Sequence, residues 1–205
     1  MSRYTGPRMR KMRSLGCLLP GLSAKSEPWD RRPYPPGQHG QGQRRRKESD
    51  YKLQLVEKQK LRFNYGVSEK QLRRLYAEAM RSKANTGLEL LAYLESRFDN
   101  VVFRAGFSRS IPAARQLINH GHLLLNGKKA DIASIRIKAG DEISFRERSS
   151  KLDIVTEALE RIALQRPAWL ECDDESRTVK VVKAPDHESV PFDIEVQRVI
   201  EYYSQ

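Results

Sequence analysis

Apolar residues in the middle of the chain recur every three or four positions, which is the spacing of one face of an α-helix. Ser68 and Gln71 form the capping-box pattern that begins a helix, and Thr86 and Glu89 repeat it. An apolar stripe follows each box. A further helix, across residues 50–64, is predicted by Leu53, Val56, Leu61 and Phe63. This part of the chain is therefore predicted to be helical.

Residues 97–148 combine two short helical patterns with short strands. The first helix is predicted to end at Gly106, and the second to run from the N-cap Ser110 to Gly121, because glycine favours the position after a helix. Asn126-Gly127 lies between two strand-like runs, and this dipeptide is the strongest short hairpin signal since a type I′ turn needs two positive φ angles. We expect two short helices packed on a small antiparallel sheet.

The remaining patterns predict one more helix and three more strands. The helix is expected to be capped by Ser150 and to stop at Pro167. The strand patterns are Glu142–Arg146, Thr178–Lys183 and Glu195–Tyr203. Helical and strand segments are thus both present, and the chain is predicted to be an α+β protein.

We divide the chain into four parts on this basis. The helical domain covers residues 50–96, and the module with two helices and an antiparallel sheet covers residues 97–148. An extended basic segment, residues 1–49, precedes them. Residues 149–205, with a helix and strands, are expected to pack back on the helical domain and complete it.

The N-terminal segment differs from the rest in composition. Residues 1–50 contain only four of the 48 Leu, Ile, Val and Phe residues, while residues 1–62 carry 16 basic and 5 acidic side chains. Frequent glycine and proline exclude a long helix or strand there. Because so few apolar side chains cannot offset the entropy of ordering, we expect residues 1–49 to be flexible in the free protein and ordered on a polyanion.

Composition also excludes several classes of protein. The 205 residues carry a formal net charge of +12 and give a pI near 9.8. No apolar run approaches the roughly 20 residues of a membrane span, and no targeting signal is recognisable. Two cysteines, Cys17 and Cys172, exclude a disulfide scaffold and indicate a reducing compartment. The basic balance favours nucleic acid as the partner.

Motifs that would indicate catalysis are missing from the sequence. It has no G-x-S-x-G elbow, no Walker A loop and no G-x-G-x-x-G after a strand. The four histidines, His39, His120, His122 and His187, form no paired metal-binding motif. We therefore predict that the protein is not an enzyme and has no cofactor and no metal.

Polar residues around the second helix of the 97–148 module suit contact with a phosphate backbone. Arg109 precedes the N-terminus of that helix, where backbone N–H groups can bind phosphate. Arg115 and Asn119, four residues apart, share a face that we expect to be exposed. His120 follows them, and Asn126 lies in the hairpin turn. Such a surface suits RNA phosphates with some contact to bases or 2′-hydroxyls.

An ordered set of short motifs runs through nearly the whole chain. They are Ser2-Arg3-Tyr4-Thr5-Gly6-Pro7, Pro35-Pro36-Gly37-Gln38-His39-Gly40, Glu57-Lys58-Gln59-Lys60-Leu61-Arg62, Asn85-Thr86-Gly87, Arg97-Phe98-Asp99-Asn100-Val101-Val102-Phe103-Arg104, Ala114-Arg115-Gln116-Leu117-Ile118-Asn119-His120-Gly121-His122, Asn126-Gly127, Gly140-Asp141, Arg146-Glu147, Pro167-Ala168-Trp169-Leu170 and Glu201-Tyr202-Tyr203-Ser204. In this order they resemble the S-four family of small-subunit ribosomal proteins of bacteria and organelles, whose RNA-binding module matches residues 97–148.

The resemblance implies a structural constituent of the small ribosomal subunit. Members bind the 5′ domain of small-subunit (16S-type) rRNA, nucleate assembly of the 30S particle, and lie beside neighbouring small-subunit proteins near the path by which messenger RNA enters, where they affect translational accuracy. Messenger RNA is a further candidate partner, and no membrane is implied. The expected location is the cytoplasmic ribosome, or the stroma or matrix for an organellar protein. Some members hold zinc with four N-terminal cysteines, and since only Cys17 lies in that region here, no zinc is predicted.

Basic charge and resemblance together select a set of predicted rRNA-binding residues. They are Arg3, Tyr4, Arg8, Arg10, Lys11, Arg13, Gln38, His39, Arg44, Arg45, Arg46, Lys47, Lys58, Lys60, Arg62, Arg73, Arg74, Arg104, Arg109, Arg115, Gln116, Asn119, His120 and Asn126.

Two alternatives from other classes remain at this point. The 97–148 module also resembles one found in pseudouridine synthases and tyrosyl-tRNA synthetases, but the flanking segments show neither a catalytic nor a nucleotide-binding signature. A free RNA chaperone or a DNA-binding protein is the other alternative. Co-sedimentation with 30S particles in a sucrose gradient separates these readings.

Overall fold

A computed structural model of the chain describes residues 4–24, 28–30, 32–42, 49–149, 152–162, 164–186 and 189–204. It contains helices and one antiparallel sheet, which confirms the α+β prediction. The chain divides into two compact units. The first comprises Met1–Leu90 with Phe192–Gln205, and the second comprises Leu91–Pro191.

Helices form the first unit, and one of their starts follows the predicted capping chemistry, whereas at the second predicted box the Asn85 side chain, and not Thr86, accepts hydrogen bonds from the Gly87 and Leu88 N–H groups. The Ser68 hydroxyl accepts a hydrogen bond from the Gln71 backbone N–H at 3.3 Å, and the Gln71 side chain accepts one from the Ser68 N–H at 3.0 Å. Ser49 caps the preceding helix through the Lys52 N–H. The helices are α1 (Arg8–Leu15), α2 (Asp50–Asn64), α3 (Glu69–Ala79), the start of α4 (Thr86–Glu95) and α8 (Val196–Ser204).

The prediction of a strand at Glu195–Tyr203 is wrong, because this segment forms helix α8. Val196, Val199, Ile200 and Tyr203 lie at helical spacing, although their β-branched and aromatic side chains also suit a strand. Val199 is fully buried, and the Tyr203 hydroxyl donates a hydrogen bond to Glu69 Oε1 at 2.9 Å. Packing against α2 and α3 therefore decides the conformation that local preference leaves open.

Residues 4–24 also depart from the prediction of an extended segment without a core. Met12, Leu19 and Leu22 are buried together and pack against Phe63 of α2 and Phe192. In addition, the Gly21 N–H donates a hydrogen bond to Asn64 Oδ1 at 2.9 Å. The segment has too few apolar residues to fold alone, but it shares the core that the helices provide. The prediction of an extended segment without a core is wrong for this stretch, and its flexibility in the free protein stays a prediction.

The second unit is built on a five-stranded antiparallel sheet with the strand order β2-β1-β3-β5-β4. The predicted hairpin is confirmed, since Asn126 and Gly127 have φ angles of 51° and 75° between paired strands. Ala114, Leu117 and Ile118 are buried, as predicted for the face that packs α6. The elements are the end of α4, α5 (Phe98–Arg104), α6 (Ile111–Asn119), β1 (Leu123–Leu125), β2 (Lys128–Lys129), β3 (Glu142–Phe145), a 3-10 helix (Glu147–Ser149), α7 (Asp153–Glu160), β4 (Leu170–Asp173) and β5 (Thr178–Val181).

The segment from residue 149 to 191 lies in this second unit and not in the helical one. Its strand β5 pairs with β3, with Val179 opposite Ile143, and β4 pairs with β5. Only Phe192–Gln205 joins the first unit. The expected packing of residues 149–205 on the helical domain is thus corrected for its larger part. The reason is that β3 has a second edge whose backbone groups need partners, and β5 supplies them.

Candidate nucleic-acid interface

Helix α1 presents a dense group of basic side chains. We call Arg8, Arg10, Lys11 and Arg13 the α1 surface; Arg10 is exposed and the other three are partly exposed. Met12, on the same helix, is fully buried and fixes its orientation. Among the described residues, no carboxylate oxygen lies within 4 Å of these four side chains. Their charge is therefore available to an anionic partner.

Aromatic rings border the α1 surface. Tyr4 and Phe63 meet edge to face with centroids 5.1 Å apart, and Lys11 Nζ lies 5.1 Å from the Phe63 centroid. Partial burial raises the pKa of the Tyr4 phenol although nearby Arg10 opposes the shift, so this hydroxyl is neutral. A cation held over an aromatic ring is oriented as well as charged.

Other predicted residues of the first unit divide into exposed and buried groups. Arg73 and Arg74 are exposed on α3, and Arg62 is partly exposed. By contrast, the Lys58 side chain is only 6% exposed and pairs with Glu69 at 3.2 Å, while Lys60 pairs with Glu57 at 2.7 Å. These two lysines stabilise the contacts among α2, α3 and the C-terminal segment, and their role in rRNA binding stays a prediction.

Gln38 and His39 are exposed. Five predicted residues, Arg3, Arg44, Arg45, Arg46 and Lys47, lie outside the described residues.

Two arginines of the second unit lie closer to the interior than the sequence suggests. The Arg104 side chain is 4% exposed; its Nη2 donates a hydrogen bond to the Ser189 carbonyl, and its Nε is 3.7 Å from Glu95 Oε2. The Arg115 guanidinium, 15% exposed, binds Asp99 through Nε at 2.7 Å and Nη2 at 2.6 Å. The expected exposure is therefore wrong for Arg115, although Asn119 on the same face is exposed. Arg115 has helical spacing from Asn119, but its side chain binds the buried Asp99 carboxylate.

The other predicted residues of this unit lie at the surface. Gln116, Asn119 and His120 are exposed near the end of α6. Arg109, whose side chain is 40% exposed, pairs with Glu157 at 3.0 Å. Asn126 is exposed but also structural, because its Nδ2 donates to Asp141 Oδ1 at 2.8 Å and its Oδ1 accepts from the Glu142 N–H at 2.9 Å.

Sequence reasoning missed cationic side chains beside the end of α6. Lys128 and Lys129 form β2, and Arg146 follows β3; all three are exposed. The sequence did contain a signal for part of this basic group, because Lys128-Lys129 follows the Asn126-Gly127 turn directly. Only the sheet register brings this pair and Arg146 to the same region of the unit.

No group of three or more metal-ligating side chains is found within the part of the chain that the structure describes. The helices described there are also too short or too polar to cross a bilayer.

Comparison with known protein families shows to which family the chain belongs. The model of the ribosomal protein S4/S9 N-terminal domain matches residues 3–95, and the S4 domain model matches residues 96–143. The chain belongs to the family of small ribosomal subunit protein uS4. The S4 domain therefore lies within the second unit, and the expected resemblance is confirmed.

Relatives in the uS4 family match over the full length. The chain is 55% identical to the uS4 protein of Methylobacillus flagellatus and 53% identical to the uS4B protein of Nitrosomonas europaea, in each case over 100% of this chain and 98% of the relative. The uS4 protein of Rubrobacter xylanophilus is 46% identical, with both chains fully covered. The family consists of ribosomal structural proteins, which confirms that the chain is not an enzyme.

Proposed function

We propose that this chain, as a structural protein of the small ribosomal subunit, binds the 5′ domain of small-subunit rRNA. The observation that carries the proposal is the α1 surface: four basic side chains on an eight-residue helix, bordered by aromatic rings and without a carboxylate partner among the described residues. A basic surface that no carboxylate of the described residues neutralises is suited to bind a polyanion.

Assembly and accuracy are the further parts of the proposal. Binding to bare rRNA without other proteins would let the chain nucleate the 30S particle, and contacts with neighbouring proteins near the messenger path would affect translational accuracy. We propose the ribosome of the bacterial cytoplasm as its location, since the relatives come from bacteria; an organellar ribosome is the alternative. The test is binding of the chain alone to 16S-type rRNA. A requirement for previously bound proteins would contradict nucleation.

We expect rRNA binding to weaken steeply with salt. Each phosphate contacted by Lys or Arg releases counterions, so log K should fall by roughly 0.7–0.9 per contact for each unit of log salt concentration. The measurement is filter binding to a 5′-domain transcript over a range of KCl concentrations. A slope shallower than about −2 would contradict an extensive electrostatic interface.

Neutralising two charges of the α1 surface should reduce that slope. We expect the combined Arg8→Gln and Arg10→Gln variant to lose about two units of slope and on the order of tenfold in affinity. Lys180→Gln with Lys183→Gln is the matched control, because it removes the same charge from side chains that pair with Glu142 and Asp186. Equal losses in both variants would show that only net charge matters and that α1 is not a contact site.

A further inference from the structure

Strand β4 forms an open edge of the sheet in the second unit. The strand order β2-β1-β3-β5-β4 places it last, and among the described residues only β5 pairs with it. Unpaired N–H and C=O groups on an edge strand are a template to which another strand can bind. The backbone groups and side chains along this edge therefore decide which partner it can accept.

The hydrogen-bond register identifies the backbone groups on the open side of β4. The Val182 N–H donates to the Trp169 carbonyl at 3.0 Å, so these residues form a hydrogen-bonded pair. Because such pairs alternate along an antiparallel ladder, Leu170 and Cys172 direct their backbone groups away from β5. The Leu170 N–H binds the Pro167 carbonyl. The Leu170 carbonyl and both backbone groups of Cys172 have no hydrogen-bond partner within the described part of the chain.

Side chains along β4 alternate between apolar and acidic. Leu170 is buried and Cys172 is half-buried on one face, whereas Glu171 and Asp173 are exposed on the other. No Lys or Arg nitrogen of the described residues lies within 4 Å of either carboxylate. Hydrogen bonds from the side chain and N–H of Ser176 hold the pKa of Asp173 below its usual range, so this carboxylate is charged at neutral pH. The edge thus carries negative charge in a chain whose net charge is +12.

We propose that the open side of β4 is a docking site for an extended, lysine- or arginine-rich segment of a partner protein, which pairs antiparallel with β4 and extends the sheet. Residues of that segment opposite Glu171 and Asp173 share the acidic face, where cations form cross-strand pairs with the carboxylates. The residue opposite Cys172 shares the half-buried face, which suits an apolar side chain. The partner segment is therefore expected to alternate basic and apolar residues.

The charge of this edge favours a basic polypeptide over nucleic acid as the partner. Carboxylates repel phosphate groups, so Glu171 and Asp173 oppose the binding of an RNA backbone at β4. Short edge strands with charged side chains also occur where a protein merely prevents association. The two roles have different consequences, because a protective edge excludes every added strand, whereas a docking edge admits a basic strand and excludes an acidic one.

The first experiment tests strand pairing with synthetic peptides. The probe is an acetylated and amidated peptide of about seven alternating lysine and valine residues, titrated into the isotope-labelled full chain while the amide resonances of β4 are followed by NMR. The valine opposite Cys172 exchanges both backbone hydrogen bonds with it in the antiparallel arrangement. N-methylation of the valines should therefore weaken binding by about fivefold or more. N-methylation of the lysines is the matched control and should change the affinity less than about twofold. The probe should also slow hydrogen exchange of the Cys172 amide by about tenfold at saturation.

The second experiment tests the charge of the edge. Glu171→Lys should weaken binding of the lysine peptide by about three- to fivefold and strengthen binding of a peptide with glutamate in place of lysine. Asp131→Lys is the matched control, because it makes the same charge change at an exposed position just after β2, at the opposite edge of the sheet. It should change either affinity by less than about twofold. The amide spectrum of each variant shows that the unit is folded.

Three outcomes would overturn the docking site. Equal binding of the lysine peptide and its two N-methylated forms would show charge attraction without strand pairing. No binding by any peptide would show that the carboxylates only protect the edge. Shifts of the β4 amides with a 5′-domain rRNA transcript, and not with the lysine peptide, would assign this surface to RNA. The peptide titrations contain no rRNA, so their failure leaves the proposed function intact, and failure of rRNA binding leaves the docking site intact.

Discussion

Asp99→Asn is expected to lower the free energy of unfolding by about 3–5 kcal/mol, the cost of removing one member of a buried charge cluster. The Asp99 carboxylate is inaccessible to solvent and binds Arg97 at 3.0 Å through two nitrogens and Arg115 at 2.6 and 2.7 Å. Asparagine keeps the shape but removes the charge, which leaves two guanidinium groups in the interior of the second unit without their counter-ion. Urea unfolding followed by circular dichroism measures the change.

The matched control is Asp131→Asn, at an exposed position in the same unit, which should change stability by less than about 0.5 kcal/mol. A loss below about 1 kcal/mol for Asp99→Asn would show that the two arginines reach solvent and do not depend on the carboxylate. The same cluster explains why Arg115→Ala is a poor test of RNA contact, because it would leave Asp99 buried with one partner fewer. Asn119 and His120, which are exposed, provide cleaner tests.

Leu19→Ala is expected to cost about 2–5 kcal/mol, as for other truncations of fully buried leucines. Leu19 is 0% exposed in the cluster with Met12 and Leu22 that holds residues 4–24 against Phe63 and Phe192. Its neighbour Leu18 is 37% exposed. Leu18→Ala therefore provides a control with the same chemistry one position away, and it should stay within about 0.5 kcal/mol.

Two measurements on these variants separate local from global effects. Urea unfolding reports the stability of the first unit, and limited proteolysis with cleavage sites mapped by mass spectrometry reports opening of residues 4–24. We expect Leu19→Ala to be cleaved faster in that stretch than Leu18→Ala. If the two variants behave alike in both measurements, the stretch is held as loosely as its composition predicts, and the buried cluster contributes little.

Much of the second unit was predictable because its signals are local. The Asn126-Gly127 turn needs two positive φ angles, which only a few residue types adopt readily, and Gly121 ends α6 for a similar reason. The buried face of α6 follows from helical spacing alone. The excess of basic charge and the absence of catalytic motifs are visible in the sequence alone. They likewise indicate a non-enzymatic protein with nucleic acid as its partner.

Which cationic side chains form ion pairs within the fold was not predictable in the same way. Arg115 has the spacing of an exposed helix face, yet Asp99, sixteen residues earlier, captures it. Lys58 lies in a basic motif, yet Glu69 of a different helix pairs with it, whereas the Lys60–Glu57 pair follows from its i,i+3 spacing on α2. Whether a cation meets a carboxylate on another helix depends on which helices pack together, and sequence separation carries no such information.

By itself the sequence determined the class of the fold, the hairpin, the ends of α5 and α6, the lack of catalytic motifs and the excess of basic charge, because these depend on local backbone preference and on composition. Only the tertiary structure decided that Val196–Ser204 is a helix, that β5 extends the sheet at β3, and that residues 4–24 share a core. The physical reason is the same in each case. A segment with weak or ambiguous local preference adopts the conformation in which its apolar side chains and backbone groups find partners, and other parts of the chain supply those partners.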